Sequence, residues 1–331
     1  MIGSALQVAA ALRDWADRAS ALIPPEDRKV LLSPARLFRA FAKFAFLHRG
    51  DRVFAGDINA RDPEIIHLFL DLFRIAGTHY FRTHTLGVEN VPPSGPVLLV
   101  GNHNGGLVSI DSFLAGVAIA DAHGAHRAPY ALGHDVLFDD PVVRRYAAKI
   151  GILRAGHQSA ELALRAGHTV LVYPGSDWDA FRPYRDRNKV VLAGRKGFIK
   201  LALRERVPIV PVLSAGSHEQ FVVLTRGETL AKVTLTHRLA RTDVFPIVLS
   251  FPWGITTGFL PYIPFPSQIT IGFGEPIQFD GGPAAAENPQ KLEECYQIVE
   301  RRMQNELNAV VQVRNSLRTQ GAPSPQTQAA F

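Results

Sequence analysis

The chain has 331 residues, 47% hydrophobic and 20% charged, with a formal net charge of +6 and a pI of about 9.6. That is apolar material for a sizeable core in one large domain with an appendage, and it excludes a disordered chain. The basic balance asks for an acidic partner, nucleic acid or an anionic membrane surface, while the single cysteine, Cys295, excludes an intramolecular disulfide and suits a reducing compartment.

The opening stretch "MIGSALQVAAALRDWADRASALIPPEDRK" sets Arg13, Asp14 and Asp17 where a secretory signal needs its apolar centre, so it reads as retained. "SPARLFRAFAKFAFLHRG" follows, with Ser33 as N-cap and Pro34 at the first helical position. Leu37, Phe38, Phe41, Phe44, Ala45 and Leu47 alternate there with Arg36, Arg39, Lys43 and Arg49, which predicts a basic amphipathic helix ending near Gly50. "DPEIIHLFLDLFRIAGTHYFRT" predicts a second, from Asp62-Pro63 to near Gly77. Such helices either settle in a lipid interface or pack on a core. The first reads as membrane-associating and the second as either, so residues 1–85 form an expected N-terminal helical, membrane-associating region. No stretch supplies the ~20 apolar residues of a membrane-spanning helix.

From residue 86 short β-branched runs alternate with helical stretches, the pattern of an α/β fold with a mixed, largely parallel sheet flanked by helices over 86–311. "GPVLLVGN" predicts a strand and "SIDSFLAGVAIADA" a helix with Ser109 as N-cap. "QSAELALRAG" predicts a helix from Ser159 as N-cap to Gly167 as C-cap, leading to the strand "GHTVLVYPG"; "GRKGFIKLALRERV" predicts the helix before the strand "VPIVPVLSAG". Residues 244–274 hold no Asp, Glu, Lys, Arg or His, and Pro246, Pro252, Pro261, Pro264 and Pro266 forbid a continuous helix. A segment so apolar belongs either against the sheet or in a lipid interface. Cys295 falls in the helical pattern "KLEECYQIVERRMQNEL" without an adjacent histidine, a poor setting for a nucleophile. Residues 312–331, rich in Gln, Ser, Pro and Ala, read as a disordered tail.

The stretch "GNHNGGLVSID" (101–111) puts His103 at the C-terminal end of a predicted strand, where open α/β sheets carry out ligand chemistry. Gly105 and Gly106 leave backbone N–H groups uncovered, and Asp111 falls in the first turn of the next helix. Together they can supply a base, an orienting carboxylate and an oxyanion site for activating a hydroxyl. An anion-binding turn and a plain tight turn are the rival readings of the same residues, and Asp111 also suits a helix N-terminus for its charge alone.

"NHNGGLVSID", "VLVYPGSDWDAFRP", "GRKGFIKLALRERVPIVPVLSAGSHE" and "ITIGFGEPI", in that order across roughly residues 80–280, resemble the glycerolipid acyltransferase superfamily, which includes the glycerol-3-phosphate and lysophosphatidic acid acyltransferases. "RKGF-K-A" leading to "VP", with "YPG" in the third block, is closer to its diacylglycerol-acyltransferase-like branch. The superfamily's usual spacing would put the carboxylate at Val108, whereas the acid here is Asp111; Pro174, Gly175, Ser176 and Asp177 stand where the phosphate-binding block has its glutamate and arginine, with Arg182 beyond. The resemblance implies acyl transfer from acyl-CoA or acyl carrier protein to a lipid hydroxyl, with His103 as general base and Asp111 fixing its tautomer. It implies no cofactor beyond the donor substrate and a place on the cytoplasmic face of a membrane, peripheral or monotopic. The residues expected to face substrate are Asn102, Gly105, Gly106, Pro174, Gly175, Arg182, Arg195 and Lys196. The last three belong to a basic run, with Arg185, Arg187, Lys189 and Lys200, able to meet phosphates.

Other chemistries lack their motifs. No G-x-S-x-G or Walker A occurs, and "GFGEP" is not a dinucleotide fingerprint. His123 and His126 of "DAHGAH" have no carboxylate or cysteine set at ligand spacing, so no metal is expected. The basic residues sit with apolar helices rather than on a recognition module, which disfavours nucleic acid. The remaining alternatives are a lipid-binding or membrane-tethering protein with the same fold, and a thioesterase.

Overall fold

The computed structural model describes residues 56–106, 108–233 and 242–319. The expectations for residues 1–55, the basic helix at 33–50 included, and for 320–331 lie outside the described residues. In chain order the elements are α1 (Pro63–Ile75), β1 (His84–Leu86), β2 (Val97–Gly101), α2 (Ile110–His123), β3 (Tyr130–Gly133), α3 (Pro141–Ile150), β4 (Ile152–Arg154), α4 (His157–Arg165) and β5 (Thr169–Val172). Then follow α5 (Ser176–Ala180), α6 (Gly197–Glu205), β6 (Ile209–Ala215), β7 (Val222–Thr225), α7 (Glu228–Val233), β8 (Ile247–Ser250), β9 (Gly254–Thr257), β10 (Thr270–Phe273), α8 (Gly282–Ala286) and α9 (Pro289–Thr319).

Seven strands form one sheet in the order β1-β10-β6-β2-β5-β3-β4, parallel throughout except where β10 runs antiparallel to β6. This is the mixed, largely parallel sheet the alternating pattern predicts. Strand β2 sits at its centre, paired with β5 on one side and β6 on the other. Helices cover both faces, so β2 is apolar without alternation. Leu98 and Val100 join the core under α4, α6 and α9, while Val97 and Leu99 join the opposite core with Ile110, Leu114 and Ile119 of α2.

Helix α1 begins as its sequence asks. Asp62 accepts hydrogen bonds from the N–H groups of Glu64 and Ile65 at 3.0 and 3.3 Å, and Pro63 occupies the first helical position. A π-turn, Ala76–Tyr80, carries the chain past the expected stop at Gly77. Of the two environments open to this helix, packing takes most of its apolar stripe: Ile66 and Leu70 are buried with Val117 and Ala120 of α2, and the rings of Phe69 and Phe73 lie 4.9 and 4.7 Å from Phe113. Strand β1 straddles the boundary drawn at residue 85, and its pairing with β10 joins residues 63–85 to the α/β unit.

Two helix limits differ from expectation. Helix α4 starts at His157 with Gly156, not Ser159, in the N-cap position, because Gly156 is extended and the chain turns helical directly after it. Gly167, at φ +83°, does end it; the N–H of His168 reaches back to the Ala163 carbonyl at 3.0 Å. The tail expected from residue 312 is corrected over its first part, since α9 continues to Thr319. Its buried stripe Val299, Met303, Leu307, Val310 and Arg314 keeps helical spacing into the polar composition that suggested disorder, and Arg314 donates to the Gln268 carbonyl at 2.7 Å and to Glu219 at 2.7 Å.

The charge-free segment supplies β10 and most of a second, three-stranded antiparallel sheet, β7-β8-β9. One side of this small sheet is core: Val223 and Val248 pack with Ala180, Phe181, Phe221 and Val244. Its other side carries exposed Leu249 and Ile255.

Replacing Leu307, fully buried on α9, with Ala should lower the stability measured by urea unfolding by about 2–5 kcal/mol. The same change at Leu162, exposed on α4, should cost no more than about 0.5 kcal/mol.

Candidate active site

The C-terminal end of β2 is the middle of the sheet's carboxyl edge, and the residues that follow it build the site. Gly101 has no side chain because the Tyr173 ring occupies the space: a Cβ there would lie 2.4 Å from Tyr173 Cε1. Asn102 continues the β2–β6 pairing with its side chain, accepting from the Ser214 N–H at 2.8 Å and donating to the Ser214 carbonyl at 3.1 Å. It is buried and committed, so its expected role toward substrate is corrected to a structural one.

His103 comes next, half-buried, its ring centre 4.9 Å from that of Tyr173 and its Nδ1 buried without a partner among the described residues. Burial pushes its imidazole below the ordinary histidine value; Asp111 opposes this and Arg182 adds to it. The ring is therefore neutral at physiological pH, the form a general base requires.

The turn depends on glycine. Gly105 and Gly106 have φ of +82° and +72°, and a Cβ on either would strike Gln220 Nε2 at 2.4 Å or the Phe221 ring at 2.7 Å. The two N–H groups are not equivalent. That of Gly106 donates to the Ala180 carbonyl at 3.1 Å, which withdraws it from the expected oxyanion pair; that of Gly105 has no acceptor among the described residues.

Asp111, 2% exposed in the first turn of α2, accepts four hydrogen bonds. Ser109 Oγ at 2.7 Å and the Ser112 N–H at 3.1 Å reach one oxygen; Ser214 Oγ at 2.6 Å and Asn104 Nδ2 at 3.1 Å reach the other. None comes from His103. The carboxylate does not hold the ring's tautomer through a hydrogen bond; it acts on the ring through its charge, favouring the imidazolium.

The residue that organises the loops is Arg182, whose side chain is entirely buried. It forms an ion pair with buried Asp179, donates to Asn104 Oδ1 at 2.6 Å and donates to His218 Nε2 at 2.8 Å. Asp179 in turn accepts from the backbone N–H of His103 at 2.5 Å. Because arginine only donates, His218 must accept at Nε2, and burial followed by the Arg182 charge holds its imidazole neutral, well below its ordinary value. Burial lowers Arg182 itself to about 9, which leaves it cationic at neutral pH. Arg182 therefore does not wait for a phosphate; its guanidinium is spent inside the protein.

The other expected contact residues lie as follows. Pro174 and Gly175 are buried, and Gly175 is required by packing, since a Cβ would lie 2.1 Å from the Val191 carbonyl. Arg195 donates to the Pro174 carbonyl at 3.1 Å and pairs with Asp177, and Lys196 pairs with Glu293 on α9. Neither contacts the His103 network. Nearby Lys189 and Lys200 are also paired, with Asp186 and Glu287. Sequence reasoning missed Asn104, Asp179, His218, Ser214 and Tyr173. Asp179 and His218 stand inside the motif blocks "SDWDAFRP" and "SAGSHE", but nothing in their spacing shows that both reach the same guanidinium. Among the described residues no group of three or more His, Cys, Asp or Glu side chains can hold a metal, and no helix is long and apolar enough to cross a membrane.

The profile of the diacylglycerol acyltransferase family matches residues 77–301, a span that includes His103, Asp111, Asp179, Arg182 and His218. The chain belongs to this family. An uncharacterized protein of Mycobacterium tuberculosis is 36% identical over 206 residues, 62% of this chain and 55% of that one. The Gallus gallus "DGAT1/2-independent enzyme synthesizing storage lipids" is 24% identical over 222 residues, 67% of this chain and 59% of the relative. A human relative, "diacylglycerol O-acyltransferase 2-like protein 6", is 25% identical over 215 residues, 60% of this chain and 62% of its own length. The crystal structure of the 1-acyl-sn-glycerophosphate acyltransferase PlsC from Thermotoga maritima aligns with a TM-score of 0.46 at 17% identity, over 85% of this chain and 97% of that one. The chain spans about half the length of the mycobacterial relatives.

Arg182→Gln would leave Asp179 charged, buried and unpaired. Urea unfolding of this variant should show a loss of about 3–5 kcal/mol.

Proposed function

We propose that this member of the diacylglycerol acyltransferase family is an O-acyltransferase. In this reading it moves a fatty acyl group from acyl-CoA, or from acyl carrier protein, to the hydroxyl of a glycerolipid at the cytoplasmic face of a membrane. The observation that carries the reading is His103, a neutral, half-buried imidazole at the sheet's carboxyl edge, with a buried carboxylate close by and, two residues on, a backbone N–H that has no acceptor among the described residues. The name of the human relative supports a glycerolipid as acceptor, and that of the chicken relative a lipid product.

A thioester is already activated, so no covalent intermediate is needed. With Nδ1 buried, the other ring nitrogen is the one left to take the acceptor's proton. The alkoxide oxygen attacks the thioester carbonyl; the C–O bond forms, the C–S bond breaks, and the proton passes from His103 to the departing thiolate. Asp111, Asp179 and Arg182 are all buried. The Asp111 charge favours the imidazolium and so helps His103 hold the proton while it is in transit. The Gly105 N–H is the donor offered to the thioester oxyanion.

Purified protein mixed with acyl-CoA and vesicles containing diacylglycerol should release free CoA, read with a thiol reagent, and His103→Ala should slow release ~10²- to 10⁴-fold. Equal slow release by both proteins supports a membrane tether instead, and release without any acceptor supports a thioesterase. Since the His103 imidazole is held below its ordinary value of 6.5, it stays unprotonated down to that pH. The acid limb of kcat/KM should therefore have its midpoint under pH 6.5.

A further inference from the structure

We infer that the outward face of the sheet β7-β8-β9, with the loop that follows it, is a bilayer-docking surface that sets the His103 turn against lipid headgroups. The inference deepens the proposed acyl transfer, and it rests on that reading for the claim that the substrates come from a membrane.

An antiparallel sheet with one side on a core normally alternates apolar inward and polar outward. Here the inward positions are ordinary, with Val223 and Val248 fully buried, but the outward ones are apolar as well. The strand register pairs Val222 with Leu249 and Leu249 with Ile255 across all three strands, and an antiparallel bridge adds Phe251 and Ile263. Phe251 is 51% exposed, Ile255 70% and Ile263 56%, and Trp253 and Leu260 stand exposed beside them. The indole N–H of Trp253 donates to the Pro261 carbonyl at 2.6 Å, so the exposed ring offers solvent no unspent donor.

A bilayer is the occupant the chemistry selects. Protein partners are met through a polar rim around an apolar centre, whereas residues 244–274 contain no charged or histidine side chain at all. Exposed side chains of both signs adjoin the segment: Asp243 and Glu275 at its two ends, Lys232 on α7, and Arg82, two residues from Tyr80, whose hydroxyl donates to the Pro264 carbonyl at 2.6 Å. Apolar side chains with nearby cations suit an anionic lipid surface, as does the net charge of +6.

This face is also tied to the site. The Tyr262 hydroxyl, in the loop after β9, donates to the Gly105 carbonyl and lies 3.3 Å from the Val108 carbonyl. Its ring is 4.3 Å from Phe221, the side chain that forbids a Cβ on Gly106. Exposed Val108 extends the apolar surface onto the catalytic turn.

The test is co-sedimentation of the full chain with vesicles of phosphatidylcholine alone or mixed with phosphatidylglycerol. Wild type should pellet with the mixed vesicles, and Phe251→Glu/Ile255→Glu should weaken binding by about tenfold or more while keeping its unfolding midpoint. Leu162→Glu, which adds a charge at an exposed leucine of α4, should bind as wild type does. Undiminished binding by the double variant overturns the inference, as does failure of wild type to bind either vesicle. A lipid-free wild-type dimer that Phe251→Glu/Ile255→Glu makes monomeric also overturns it, by assigning the face to a second copy. None of these readouts requires turnover, so they are independent of whether CoA release fails.

Discussion

The site is organised around one buried guanidinium. Arg182 comes from the segment after β5, yet its donors reach Asn104 in the turn after β2 and His218 in the turn after β6, and its counter-ion Asp179 holds the His103 backbone. Three crossovers of the sheet thus converge on one cation. A buried ion pair adds little net stability compared with an apolar substitute, because desolvation of both charges offsets their attraction. What it contributes is directional: five donors in a rigid plane allow one relative placement of the loops, and with it one placement of the imidazole.

The same constraint explains why the carboxylate can stand off from the histidine. Asp111 is engaged by Ser109, Ser112, Ser214 and Asn104, all buried or nearly so, and works on His103 through space in a medium where charge is poorly screened. A hydroxyl relay, Tyr173 to Ser112 to Ser109, runs into that carboxylate and surrounds it with dipoles. The acid's exact spacing from the histidine is then less constrained than in a directly bonded pair, since the turn of Gly105 and Gly106 has only to return the chain to the start of α2.

Much of this was legible in the residues. The central strands, α1 with its Asp62 cap, α2 after Ser109, and the position of His103 at a strand end all follow from local rules about periodicity, capping and glycine. The site's interior was not. Arg182, Asn102, Pro174 and Gly175 have the composition of substrate contacts and are buried structural parts; Asp179 and His218 look unremarkable and prove central. Burial and partnership are properties of the folded neighbourhood, and neither spacing nor residue type reports which of several arginines is desolvated. The tail shows the converse error: Gln, Ser, Pro and Ala suggested disorder from residue 312, but Arg314 continues the buried helical phase of Val310.

By itself the sequence determined the class of fold, the strand that delivers His103 and the glycines that turn the chain after it, because these depend on backbone preferences and apolar patterns within a few neighbouring residues. It also determined that residues 244–274 could not be an ordinary wet loop. Only the tertiary structure decided that the segment makes a sheet with two apolar sides, that Asp111 reaches His103 by charge alone, and that one arginine binds three loops. Those outcomes join residues far apart in the chain, Arg182 and Asn104 being 78 positions apart, and they are set by which groups lose water together when the sheet closes.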